Sequence, residues 1–323
     1  MPTEISQAIL SAITYFDIFD YPLTSFEIEK WLYANNTRMS ANQTRIRQVL
    51  ETELAGPISF DRGFYFLKGR EQIVQTRLDR YNLADKKFKR ALLAGKLLAA
   101  LPFVRMIAVC NSLGYGNASD QSDIDFFIIT TPGRIWLVRF LSVLIMKILG
   151  WRPTAEETKN KICLSFFISQ DSLDLEKIAL EDDIYLIYWL SQLTPIYNQD
   201  QTYQQLLRSN FWINDYLPKF LEVSPNPRRH IKQSLFFARL KDKLENWLSG
   251  NFGGRLENYL KNYQFKILPP QLKALAHSAG TDVIINDKML KFHDKDNRVK
   301  YRETFKLQLG RVLENAKIIN SKL

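Results

Sequence analysis

One nine-residue stretch, "SDIDFFIIT" at 122–130, constrains this chain more than any other. From Ile124 onward it reads as a short, almost continuously apolar strand of the kind buried on both faces of a sheet. Two aspartates stand at its mouth. Side chains two apart on a strand point to the same side, so Asp123 and Asp125 share a face. Close carboxylates repel unless a positive charge lies between them, and a divalent metal ion, which takes carboxylate oxygens, meets that need.

At 323 residues the chain has room for two or three domains. A composition of 46% hydrophobic and 24% charged residues is that of a globular protein. Cys110 and Cys163, the two cysteines, both lie in apolar runs and read as small buried strand residues, not as a disulfide or metal pair. They suit a reducing cytoplasm. The opening "MPTEISQAIL" lacks a basic region before an apolar core, so no signal peptide is expected. The apolar run "IWLVRFLSVLIMKILGW", 135–151, is shorter than the roughly 20 residues of a membrane span and is broken by Arg139 and Lys147. A helix packed on a sheet is expected there, with no transmembrane segment. The net charge of +10 is concentrated beyond residue 190, while 105–190 is slightly acidic. A basic third beside an acidic middle suits a polyanionic partner near a metal site.

Along residues 3–16, Ile5, Ala8, Ile9, Ala12, Ile13 and Phe16 share one helical face. Thr24-Ser25-Phe26-Glu27 is a capping box for a second helix through about Tyr33, and Ser40 can cap a third. Two short strands then flank Asp61-Arg62-Gly63. Three helices and a hairpin in residues 1–70 are the order of a winged helix. Its third helix would show Asn42, Gln43, Arg45 and Arg47 to DNA, although a segment with slightly more acid than base is poorly charged for that task. Packing or protein contact is at least as suitable a role.

Residues 71–190 read as helix, strand, loop, strand, helix, strand, with "VRMIAVC", "IDFFIIT" and "KICLSFFI" as the strands. That order is an α/β core with a small mixed sheet. Residues 191–323 are expected to be basic and mostly helical, with a turn or linker at 224–230, a hairpin turning at Asn286-Asp287 and a closing helix from about Tyr301.

Asn111-Ser112 and, after ten intervening residues, Asp123-Ile124-Asp125 at the head of a strand resemble the signature of the DNA polymerase β-like nucleotidyltransferase superfamily. Ser122-Asp123-Ile124-Asp125-Phe126 matches its second half without a gap, and the resemblance covers about 83–170. It implies that Asp123 and Asp125 are catalytic and hold one or two Mg²⁺ ions against an NTP. It further implies that Asn111, Ser112, Gly114 and Ser122 form the phosphate-binding turn. An NMP would pass to an acceptor (small molecule, RNA or protein) with release of pyrophosphate. Gly114 and Gly116 would allow close backbone approach.

Two departures stand out. Asn111 replaces the usual glycine; if a left-handed backbone is what that position needs, asparagine is the commonest substitute. The later strand, "KICLSFFI", lacks the third carboxylate of active members and has Ser165 as its polar interior residue. Asp171, just beyond it, is a candidate third ligand, or with Ser172 an N-cap for "LDLEKIAL". The three histidines, His230, His277 and His293, have no metal-ligand spacing, and His293-Asp294 reads as a turn. The alternative to an enzyme is a degenerate transferase fold whose winged helix binds DNA or protein as a regulator.

Overall fold

The computed structural model of the chain describes residues 3–34, 41–220, 227–278, 280–293 and 296–320. Helix α1, Glu4–Asp17, begins where Thr3 accepts from the Ser6 amide, and it buries the Ile9–Ile13–Phe16 face. The expected capping box is present: the Thr24 side chain accepts from the Glu27 amide, and the Glu27 carboxylate accepts from the Thr24 amide at 2.9 Å. Helix α2, Ser25–Lys30, follows and stops short of Tyr33. Helix α3, Gln43–Glu51, is capped by Asn42, whose Oδ1 accepts from the Arg45 amide at 2.9 Å. Ser40 lies outside the described residues. Strands β1, Ile58–Asp61, and β2, Phe64–Leu67, pair antiparallel about Arg62 and Gly63, both at positive φ as a two-residue hairpin requires.

The central part runs helix α4 (Gln72–Ala99), strand β3 (Val104–Val109), the single-turn helix α5 (Asn111–Gly114), strand β4 (Ile124–Thr130), helix α6 (Ile135–Ile148) and strand β5 (Ile162–Ser169). After these come helix α7 (Ile184–Ser191), strand β6 (Thr194–Asn198), helix α8 (Thr202–Ser209), and helices α9 (Leu235–Leu248), α10 (Asn251–Ile267) and α11 (Pro270–Ala276). Strands β7 (Val283–Ile285) and β8 (Met289–Phe292) and helix α12 (Arg298–Asn320) complete the order.

Six strands form one mixed sheet, ordered β6-β3-β4-β5-β8-β7. Only β4 and β5 are parallel, because α6 carries the chain back between them; the other pairs are antiparallel. Half of the sheet therefore comes from beyond residue 190. Strand β6 is hidden in the sequence by Pro195, which a sheet tolerates at its edge, where β6 lies. The hairpin at Asn286-Asp287 forms as expected, and it extends the sheet because β8 pairs with β5. The helix expected over "LDLEKIAL" is reduced to one 3₁₀ turn, Glu176–Ile178.

Alternation along the strands sends two sets of side chains to opposite faces. Val109, Ile124, Phe126, Ile128 and Phe167 pack with α4, α6, α9 and α10. Met106, Ala108, Phe127, Ile129 and Phe166 pack with α7, α8 and α12, and the same apolar cluster continues through α1 to α3. The N-terminal helices thus share a core with the sheet. Among the described residues no helix is long and apolar enough to cross a membrane.

Helix α10 docks on α6 through Glu257, a buried acid whose two carboxylate oxygens accept from the Trp136 and Leu137 amides at 2.8 and 2.9 Å. These are first-turn amides that no helical carbonyl can satisfy. Glu257→Ala is expected to cost about 1–3 kcal/mol for orphaning such buried donors. Urea unfolding reads this as a lowered midpoint at unchanged m-value; an unmoved midpoint would mean that the contact does not hold the layer.

Candidate metal centre

Four strands bring their ends to one edge of the sheet. Because β3 and β4 are antiparallel, the end of β3 at Cys110 meets the start of β4, and the Cys110 amide donates to the Asp125 carbonyl at 3.1 Å. Because β4 and β5 are parallel, β5 starts at the same edge, with Cys163 in register with Asp125. Strand β8 runs against β5, so His293, just past its end, arrives there as well.

Asp123, Asp125 and Cys163 converge, with ligand atoms all within 4.8 Å of one another. This partly buried group could hold a metal ion. The register shifts just after it: Asp125 pairs with Cys163, yet Phe127 pairs with Phe166, so β5 carries one extra residue. The bulge turns Ser165 and Phe166 toward the same cavity as Cys163.

Asn111 has a φ of 54°, in the left-handed region. Asparagine therefore meets a left-handed backbone demand at this position, one that glycine would also meet. Its side chain also does something glycine could not. Its amide donates to Asp125, while its Oδ1 accepts from Trp189 Nε1 at 2.9 Å and from the Tyr185 hydroxyl at 3.4 Å. One side chain ties a carboxylate to α7.

The loop before Asp123 is fastened from α4. Lys87, almost fully buried, donates to the carbonyls of Asp120 and Ser122 at 3.1 and 2.7 Å and to Asn160 Oδ1 at 2.8 Å. One ammonium group thus holds the lead into β4 beside the lead into β5, and its charge opposes the rise of the Asp123 pKa.

The cluster opens into a cavity of about 370 Å³, walled by Asp125, Cys163, Ser165, Trp189, His293 and Tyr301 among others. Tyr185 and Tyr301 stack above it with ring centroids 5.2 Å apart. The Ser165 hydroxyl and His293 Nε2 lie 3.0 Å apart. On another wall Arg298 joins Asp183, the cap of α7, at 2.9 Å and Asp296 at 2.7 Å, while Lys291 also pairs with Asp296 at 2.7 Å.

The remaining expected residues are placed as follows. Ser112 lines an adjoining cavity of about 250 Å³ beneath Tyr15 and Phe19 of the N-terminal segment, with Asn111 on the wall of both. Gly114 lies away from the metal cluster; a Cβ there would sit 2.8 Å from the Gln192 carbonyl oxygen, so backbone packing demands the glycine. The Ser122 hydroxyl donates to the Ser119 carbonyl and belongs to the clamped loop. Asp171 is apart: it follows the far end of β5, past Ser169, and pairs with Lys288 at 3.0 Å. The basic helices α9 and α10, whose Arg239, Lys243, Arg255 and Lys266 are exposed, lie against the opposite face of the sheet. From the basic third, the β8 end and the start of α12 are what reach the cavity.

Cys163, Lys87, His293 and Arg298 were missing from the expected site. For Cys163 a signal existed: in "ICLSFFI" the apolar Ile162 and Leu164 alternate with Cys163 and Ser165. His293 and Arg298 become neighbours of β4 through the pairing of β8 with β5, a contact without local signal.

No protein-family model, curated protein or solved structure matches the chain. The centre is therefore judged on its own donors. Two carboxylates suit a divalent cation; a thiol does not suit Mg²⁺, which takes oxygen ligands.

Burial above all, and then the charge of Asp123, lift the Asp125 carboxyl to about 7. Asp123 is raised too, again chiefly by burial. Without a cation the folded pair keeps a proton that the unfolded chain releases. The pair's contribution to stability is then fully present below the ordinary aspartate range and is lost as pH rises through about 7. Asp125→Asn is expected to flatten that decline in a series of Tm values against pH, recorded with chelator; an unchanged decline would place its source elsewhere.

Proposed function

We propose that the chain is a metal-dependent nucleotidyltransferase of the polymerase β-like kind, moving an NMP from an NTP to an acceptor. One observation carries the proposal. Asp123 and Asp125 share the mouth of a buried strand with Asn111, whose backbone is left-handed, and Asp125 and Asn111 face one cavity beneath α7 and α12. That placement supports the reading, because it brings Asn111, from the first half of the sequence signature, beside Asp125, from the second.

In the transfer, an acceptor oxygen forms a bond to the α-phosphorus of the NTP. The bond from that phosphorus to the bridging oxygen breaks, and pyrophosphate leaves with the electron pair. Such chemistry depends on positioning and charge neutralisation more than on covalent groups of the protein. Asp123 and Asp125 would hold a cation, and such an ion would supply neutralisation of the charge on the triphosphate. Asn111 fixes the Asp125 carboxylate, and the turn at Ser112 binds phosphate oxygens. His293, on the cavity wall, is suited to take the acceptor proton. The stacked Tyr185 and Tyr301 offer an aromatic surface to a base or acceptor. Mg²⁺ is the ion that the resemblance implies, and here it would meet a thiol as its third neighbour. Two free thiols suit a reducing cytoplasm.

The absence of a third acid from the cluster, among the described residues, favours a second proposal: a degenerate transferase fold that binds without turnover. A winged helix reading DNA has less support. Asn42 is consumed as a cap, Gln43 donates to the Ser25 carbonyl and Glu29, and Arg45 bonds Gln48. Tyr21 and Asn117 further tie the N-terminal segment to the turn after Ser112.

Calorimetry with each NTP, repeated with Mg²⁺, Mn²⁺ and Zn²⁺, tests the enzyme. Binding that needs a cation and is lost in the Asp123→Ala/Asp125→Ala double variant is expected. Pyrophosphate release with an acceptor would then separate enzyme from binder. If the folded wild type binds no NTP with any of the three ions, the transferase proposal falls, and partners of the N-terminal segment become the question.

A further inference from the structure

We infer that this centre is a mixed thiolate–carboxylate site, with Cys163 as a direct ligand, and that it selects a borderline cation of the Zn²⁺ class over Mg²⁺. The inference shares the metal site of the proposed function but does not depend on a nucleotide.

Three observations carry it. The Cys163 sulfur and the carboxylate oxygens of Asp123 and Asp125 lie within 4.8 Å of one another, close enough to bind a single ion. Sheet geometry sets that approach: Cys163 is the register partner of Asp125 on the parallel neighbour, and the bulge directly after it keeps Ser165 and Phe166 on the same wall. Lastly, no other acid replaces it among the described residues. Asp171 is paired with Lys288, and Asp296, on the cavity wall, is held by Lys291 and Arg298.

Donor chemistry then decides between ions. Mg²⁺ takes hard oxygen ligands and gains little from sulfur. Zn²⁺ binds thiolate and carboxylate together, and soft thiolate favours it and its neighbours. Without an ion the Cys163 thiol is held well above its usual value, first by burial and then by the Asp125 charge, so it stays protonated beside the carboxylates. A bound cation inverts that balance; the S–H proton goes to solvent as the sulfur–metal bond forms. Asn111, bonded to Asp125 and anchored to Trp189, orients that carboxylate from behind.

Co²⁺ is the probe, since thiolate ligation produces a sulfur-to-metal charge-transfer absorption. Titrating the full chain is expected to give this band at one ion per protein, to be reversed by Zn²⁺ and to persist in a large excess of Mg²⁺. The band should vanish in Cys163→Ser and remain in Cys110→Ser, which controls for the second thiol. Zn²⁺ affinity should fall in Cys163→Ser by more than the roughly 10–100-fold that loss of an outer-shell partner costs. Cys163→Asp should lose the band and gain Mg²⁺ affinity, an outcome misfolding would not give. Absence of Co²⁺ binding, binding without the band, a band surviving in Cys163→Ser, or Mg²⁺ competing on equal terms would each overturn the inference. NTP binding that needs Mg²⁺ and the aspartates but shows no thiolate band leaves the transferase standing and removes this inference; a thiolate band without NTP binding does the reverse.

Discussion

Repulsion between Asp123 and Asp125 is the constraint around which this molecule is arranged. Two carboxylates on one side of a strand, at the border of a core, are unfavourable both for burial and for their shared charge. The fold meets that cost locally. Asn111 donates to Asp125, the Cys163 thiol lies against both acids, and the Lys87 ammonium sits behind the loop that delivers Asp123. Each compensating group comes from a different element, so the pair depends on α4, α5, β4 and β5 all being in place.

The first half of the fold was legible because its signals are local. The capping box at Thr24, the turn at Arg62-Gly63 and the apolar runs of β3, β4 and β5 each declare themselves within ten residues. The paired aspartates were legible for the same reason, since a period of two places them on one face. What failed was information about who pairs with whom. Strand β6 was masked by a proline that only an edge accepts, and β8 gave no local sign that it would join β5. Asp171 was chosen by nearness in sequence to β5, yet strand length carries it to the far end of the sheet. Cys163 was passed over as a small apolar residue, which is the usual role of a cysteine in a strand.

The wall formed by Arg298 has a different character. Asp183 caps α7, Asp296 follows β8, and Arg298 opens α12, so one buried guanidinium joins three elements that line the cavity. Such a network contributes little net stability, since each charge must be stripped of water. Its effect is geometric: α7 and α12 have one relative placement that leaves no charge unpaired. Tyr185 and Tyr301, carried by those two helices, can stack because that placement is fixed.

Floor and roof of the cavity are far apart along the chain: Asn111, Asp125 and Cys163 form the floor, and His293, Arg298 and Tyr301 close over it. Synthesis runs from the N-terminus, and segments fold as they emerge. The carboxylates and thiol therefore leave the ribosome well before the helix that covers them. During that interval the cluster faces open solvent, and any ion it meets can exchange freely. Docking of α12 roofs the cluster last, so the cavity takes its final shape only after the residues of its floor have been made.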